Sequence, residues 1–265
     1  MRLQSITLVV MLFAVLFLGC TSDDDEPTTN NSDYNLVWSE EFNGNSLDNT
    51  SWEIMGRGSA GYNNYFTSNP ALYEVKDGCL TLRGIVNNID PTDTAQYLTC
   101  GVRTIRDFGL GKIEIRAKLG SAKGAWPAFW MMPSRGIHSG EIDIMEHLNS
   151  DIFVYQTVHT PYTDKQGSKA TPPIQHKALF YSGKYNIYSV EITEDSVSFE
   201  VNGLHTFSYP RVPGVEDQYI FTRQNHYLML DMQIGGDSWV GRVNPATFPV
   251  DMQIDYVRFY QRKHN

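Results

Sequence analysis

The 265-residue chain is defined first by what it has little of. It carries only three cysteines, with no CxxC and no Cys/His spacing that would build a zinc site. No HExxH is present, which excludes the helix-borne zinc hydrolase pattern. Twenty-one basic residues stand against thirty acidic ones, a net charge of −9, and no Lys/Arg run breaks that balance. Nucleic acid is therefore not an expected partner. No window sustains a 3.6-residue apolar period and no internal repeat occurs, so neither a helical bundle nor a solenoid is expected. What the chain does have is aromatics: 15 Tyr, 13 Phe and 5 Trp. They either fill a core or line a surface, and composition alone leaves that open.

The longest apolar run, Ile6–Leu18, is broken only by Thr7 and is too short to span a bilayer comfortably. With Arg2 before it and Gly19 after it, the run reads as a secretory signal over residues 1–19. Leu16-Phe17-Leu18-Gly19-Cys20 resembles a bacterial lipoprotein box, which implies that Cys20 is lipidated and holds the protein to a membrane. Thr21-Ser22-Asp23-Asp24-Asp25-Glu26 and the Thr/Asn/Ser tract behind it read as a solvated tether over residues 20–33. An acidic stretch behind the lipidated Cys resembles the surface-export signal of Bacteroidetes lipoproteins, implying an outer-membrane, cell-surface location. Apart from that anchor no membrane contact is expected, and the body is expected to be a monomer.

From Tyr34 to the C-terminus, period-2 stretches recur between Gly, Pro, Asn and Asp. Lys112–Lys118 alternates cleanly, with Ile113, Ile115 and Ala117 on one face. Ser196–Val201 does the same, and Asn202-Gly203 closes it as a hairpin turn. Gly78–Arg83, Phe153–His159, Tyr185–Ile192, Tyr227–Ile234 and Met252–Tyr260 read as further strands. The spacing predicts one all-β domain over 34–265, an antiparallel sandwich or jelly roll. Residues 56–69, 87–96 and 161–176 are expected to be long loops.

Chemistry concentrates in Gly124–Pro133 and Ser139–His147. In a strand, Glu141 and Asp143 share one face while Ile142 and Ile144 take the core. Glu146 would then follow the isoleucines inward, where an unpaired carboxylate is costly. One extra residue at Met145, a β-bulge, re-aims Glu146 to the face of the other two acids. Three carboxylates in a row must share protons. A retaining glycosidase needs such a pair, a nucleophile and a protonated acid about 5–5.5 Å apart. Trp126 and Trp130, four apart in an extended segment, fall on one face and suit the apolar faces of sugars.

Trp126-Pro-Ala-Phe-Trp-Met-Met-Pro133 followed by Gly140-Glu-Ile-Asp-Ile-Met-Glu146 resembles glycoside hydrolase family 16, in the E-x-D-x-x-E form of its laminarinase-like branch. The likeness continues at Trp38–Gly44, Gly111–Leu119, Thr157–His159, Gln233–Gly236 with Trp239, and Phe248–Tyr260. It implies a β-jelly roll with a cleft on its concave sheet and an endo-acting, retaining β-glycosidase needing no cofactor for catalysis. By this resemblance Glu141 is the nucleophile, Asp143 its assistant and Glu146 the acid/base, with Trp126, Trp130, His159 and Arg116 lining the cleft. It also allows a structural calcium on the convex side, held by Glu41, the backbone of Gly78 and Asp255.

Two departures bear on substrate. The first long loop reads Gly61-Tyr-Asn-Asn-Tyr-Phe-Thr67, without the Asn-Glu pair usual in laminarinases. Before Ser139 only Ser134-Arg-Gly-Ile-His138 stands where a Gly-x-Trp-Pro loop is usual. The resemblance thus implies either β-1,3-glucan or β-galactoside chains such as poly-N-acetyllactosamine of host mucin O-glycans. A non-catalytic glycan-binding lipoprotein on the same fold is the alternative. Cys79 and Cys100 remain either paired or free.

Overall fold

The computed structural model describes residues 27–134, 139–235 and 239–263. Sixteen strands follow one another along the described residues. They are β1 (Tyr34–Glu40), β2 (Trp52–Ile54), β3 (Tyr73–Lys76), β4 (Cys79–Val86), β5 (Tyr97–Leu98), β6 (Gly101–Thr104), β7 (Gly111–Leu119) and β8 (Ala125–Pro133). The rest are β9 (Ile142–Glu146), β10 (Phe153–Val158), β11 (Gln175–Leu179), β12 (Tyr185–Ile192), β13 (Ser196–Val201), β14 (Leu204–Pro210), β15 (His226–Ile234) and β16 (Val250–Arg262).

They form two antiparallel sheets. One runs β14-β13-β12-β7-β16-β4-β3, with β1 added to β16 and β5 to β4. The other runs β11-β10-β9-β8-β15-β6-β2 and carries the site. The predicted all-β sandwich is what forms, and the alternating positions explain why. Ile113, Ile115 and Ala117 of β7 meet Phe129 and Met131 of β8 in one apolar core between the sheets. Phe129 packs edge-on against Tyr188 of β12, ring centroids 5.9 Å apart. Asn202 and Gly203 both adopt positive φ (54° and 74°), the left-handed pair that a tight hairpin between β13 and β14 requires.

Two expectations change, and one open alternative closes. Residues 161–176 are not all loop: Pro161–Gln166 is a short helix, α1, started by a capping box in which Thr160 and Thr163 bond reciprocally. The end of the tether is not loose, because Thr29 Oγ1 and Asn31 Nδ2 donate to Glu114 Oε2 at 2.6 and 3.0 Å. Cys100 is a buried free thiol set against the Leu72 carbonyl, so it does not pair with Cys79. Cys20 lies outside the described residues.

Candidate active site

The concave sheet holds the carboxylates through a bulge on β9. Trp130 of β8 pairs with Asp143 and Phe129 with Met145, so Ile144 has no partner of its own. The same irregularity shows against β10, where Thr157 pairs with Asp143 and Tyr155 with Glu146. The extra residue is Ile144, one position before the predicted Met145. Ile142, Ile144 and Met145 all enter the core, and Glu146 is thereby returned to the face of Asp143.

Glu141 precedes β9, yet its carbonyl accepts from the His159 amide at 2.9 Å, which continues the pairing by one residue. Glu141, Asp143 and His159 each place a polar atom within 4.8 Å of the others'. His159 Nε2 stands 3.3 Å from Asp143 Oδ2, and its Nδ1 is 3.7 Å from Asp164 Oδ1. The Trp126 indole donates to Glu146 Oε1 at 2.9 Å. Trp130 is 7% exposed and donates to Asp231 Oδ2 at 2.9 Å. Tyr62, from the loop between β2 and β3, meets the Trp130 ring edge-on at 5.0 Å. Trp126 and Trp130 thus share the concave face, as the spacing predicts. Trp126 is half-exposed beside the acid, and Trp130 is floor.

Electrostatics follow from this crowding. Burial, then the charge of Asp143, pushes Glu141 up to about 8. Burial pushes Asp143 up too, while its hydrogen bond with Glu141 pulls it back. Glu146 is raised to about 8 by burial and by Asp143, against the lowering pull of the Trp126 donor. The row therefore binds protons collectively at neutral pH, and its members titrate as a set.

Not every expected residue is here. Arg116 sits on β7, in the opposite sheet, where Nη1 contacts Asp255 Oδ2 at 2.5 Å and the guanidinium lies 4.3 Å above the Tyr185 ring. It lines a convex-side cavity of about 510 Å³ with Glu41, Glu114, Asp255 and Arg258, not the cleft. That correction bears on calcium as well. Glu41 is held by both arms of Arg258 at 2.9 and 2.8 Å, and Asp255 faces Arg116. Two carboxylates already matched by guanidinium groups do not fit a calcium site, whose oxygens must face the cation. Gly78 occupies the β3–β4 turn with φ 75°.

The sequence reading missed Asp231, Tyr62, Tyr155 and Asp164. Asp231 had a signal: a single acid within the apolar run Leu228–Ile234. Tyr155 pairs with Glu146 and lies 4.9 Å from the Trp239 ring, extending the aromatic surface along the cleft.

A jelly roll with a buried carboxylate row under aromatic side chains defines a carbohydrate-active class of protein. Residues 86–258 match the glycosyl hydrolases family 16 model, and the chain belongs to that family. It is 35% identical to a keratan-sulfate endo-1,4-β-galactosidase of Sphingobacterium multivorum over 88% of this chain and 57% of that protein. The chain thus spans little more than half of that relative's length. Among solved structures it resembles a non-specific endo-β-1,3(4)-glucanase (30% identity, TM-score 0.78, covering 92% of this chain and 97% of that one). It also resembles a structure reported with endo-acting O-glycanases by which human gut microbiota initiate mucin breakdown (25% identity, TM-score 0.76, covering 86% and 100%).

Proposed function

We propose that the chain is an endo-acting, retaining β-glycoside hydrolase whose substrate is a β-galactoside chain of the N-acetyllactosamine type. The observation that carries the reaction is the bulged row Glu141–Asp143–Glu146, which puts two glutamates on one wet face with a third acid between them. Glu146 holds a proton at neutral pH and gives it to the departing sugar oxygen. Glu141, ionised when Asp143 takes their shared proton, attacks the anomeric carbon and forms a glycosyl ester. Water, deprotonated by Glu146, then releases the sugar with its β configuration. Asp143 keeps Glu141 oriented, and His159 buttresses Asp143.

The substrate class is supported by the 35% identity to the galactosidase, by the missing Asn-Glu pair in the loop ending at Thr67 and by the short stretch before Ser139. A β-1,3-glucan is the second reading, favoured by the similarity to the glucanase. Digestion of keratan, mucin O-glycans, laminarin and mixed-linkage glucan, with product lengths read out, decides between them. Release of oligosaccharides from laminarin alone would replace the first reading by the second. Glu141→Ala should abolish hydrolysis of the natural glycan and Glu146→Ala should cut it by about 10²–10⁴-fold, each leaving the melting curve cooperative. Retention of near-full activity by either variant would overturn the mechanism.

Cys20 as a lipid anchor, with the protein a monomer on the outer membrane, completes the proposal. The motif Leu16–Cys20 supports it. Cys20→Ser should abolish labelling by radioactive palmitate and release the protein from the membrane fraction.

A further inference from the structure

Asp231 is the fourth carboxylate of the concave face, and the mechanism above gives it no task. It is fully buried, with Oδ2 accepting from Trp130 Nε1 at 2.9 Å and Oδ1 from Gln233 Nε2 at 2.8 Å. The registers set it opposite Ala128, and Ala128 opposite Glu146. The two acids therefore lie in one cross-strand row, two strand spacings or roughly 10 Å apart at the backbone. Ala128 offers only a methyl group between them. On the other flank β6 contributes Gly101, where a Cβ would come within 2.6 Å of the Asp231 Cβ, and Phe66 and Met55 close over the same spot. Asp231 is sealed from water, so little screens its charge.

Two donors and no acceptor face this side chain, which is the pattern that suits an anion. An asparagine would anchor Trp130 as well, keeping an oxygen for the indole and turning its amide toward Gln233 Oε1. That oxygen has no partner among the described residues. What only a carboxylate adds is charge. The groups around it are Asp143 and Glu146 on β9 with Glu141 before it, Trp130 on β8, and Tyr62 from the β2–β3 loop. Tyr227 and Gln233 share β15 with it, and Arg103 on β6 is already held by Glu53. Among the described residues no cation pairs with Asp231.

We propose that Asp231 is a positioning residue of this hydrolase: its negative charge holds the proton on Glu146, and its Oδ2, accepting from the indole, fixes Trp130 as the floor of the cleft. The inference rests on the glycosidase reading above. Burial, with Glu146 as a smaller cause, raises Asp231 itself to about 7, so its charge is present above neutral pH, where the basic limb is read.

The test is the pH dependence of kcat/KM for wild type, Asp231→Asn, Asp231→Glu and Asp231→Leu. The asparagine variant should move the basic limb down by about one pH unit, because it deletes one unscreened charge at that range. Glutamate should restore the limb. Leucine should shift it and also raise KM, since Trp130 loses its acceptor. An asparagine profile that superimposes on wild type would overturn the proposal and leave Asp231 a structural residue. Should the wild type cleave no β-glycan, the hydrolase reading fails on its own. A carbon-13 NMR titration of the Glu146 carboxyl in the asparagine variant still reads the electrostatic claim, and an unmoved titration refutes it. Wherever asparagine does not fold, the glutamate and leucine variants carry the same comparison.

Discussion

Ile144 and Met145 are consecutive in the chain, and both are fully buried in the core between the two sheets. Ordinary strands send neighbours to opposite faces, so this pair is the bulge made visible. Everything after it is turned by one position, and Glu146 reaches the cleft for that reason. Met145→Ala should leave the backbone bulge in place but open a cavity, costing about 2–5 kcal/mol of stability. Urea unfolding at pH 6 measures it, and a loss no larger than that of a surface substitution would mean that the Met145 side chain is not packed in the core.

Glu146 and Glu141 can be told apart by leaving-group dependence. With an aryl β-glycoside bearing a good leaving group, Glu146→Ala should keep its first, glycosylation step, since little protonation is needed there. Its loss on natural glycan should be about 10²–10⁴-fold, the usual worth of a general acid. Added azide should then yield a β-glycosyl azide from this variant and an α-glycosyl azide from Glu141→Ala. The same anomer from both would refute the division of roles.

The Trp126 indole donates to Glu146 and so favours its ionised form. Trp126→Phe keeps the ring and removes the donor, so Glu146 should hold its proton to higher pH. The basic limb of kcat/KM should move up, opposite in sign to the shift expected from loss of the Asp231 charge. A downward shift would show that the indole contributes mainly by burying Glu146.

How much of this was legible in the sequence depends on the range of the interaction. The strands Tyr185–Ile192 and Ser196–Val201 match their expected bounds, because alternation and the Asn202-Gly203 turn are local signals. The row of acids was legible for the same reason, since a buried Glu146 had no cheap place to go. Arg116 was not, because period-2 reading tells which faces differ but not which sheet a strand joins. Its partner Asp255 lies 139 positions away. Asp231 was hidden by the same limit: only the order β9-β8-β15 brings it beside the row.

Arg116 therefore gives a clean separation of stability from catalysis. It is buried against Asp255 and stacked on Tyr185, so Arg116→Ala takes the guanidinium away from a buried carboxylate of the convex sheet. Breaking such a buried pair typically costs about 3–5 kcal/mol. The folded fraction should keep the wild-type kcat/KM, since the side chain does not reach the cleft. A KM effect at temperatures well below unfolding would put Arg116 back in the cleft. EDTA should leave the melting temperature unchanged, because Glu41 and Asp255 already face arginines; a fall would reinstate calcium.

The last expectation concerns stability against pH, and its sign is fixed by which groups are shifted which way. Glu141, Asp143, Glu146 and Asp231 are all raised above their ordinary range in the folded protein. Above the unfolded carboxylate range the folded state therefore binds more protons than the unfolded chain, and stability falls as pH rises toward about 8. The buried imidazoles His147 and His226 are lowered, which works the other way, but only below the ordinary histidine value of 6.5. Between pH 6.5 and 8 the carboxylates act alone among these groups. One proton lost across that window is worth about 2 kcal/mol, or roughly 4–8 °C for a domain of this size. Glu146→Gln removes one titrating member, so its melting temperature should fall less steeply than that of wild type over the same interval. Equal slopes in calorimetry would mean that Glu146 is already ionised at pH 6.5, and that the proton for the leaving group comes from elsewhere in the row.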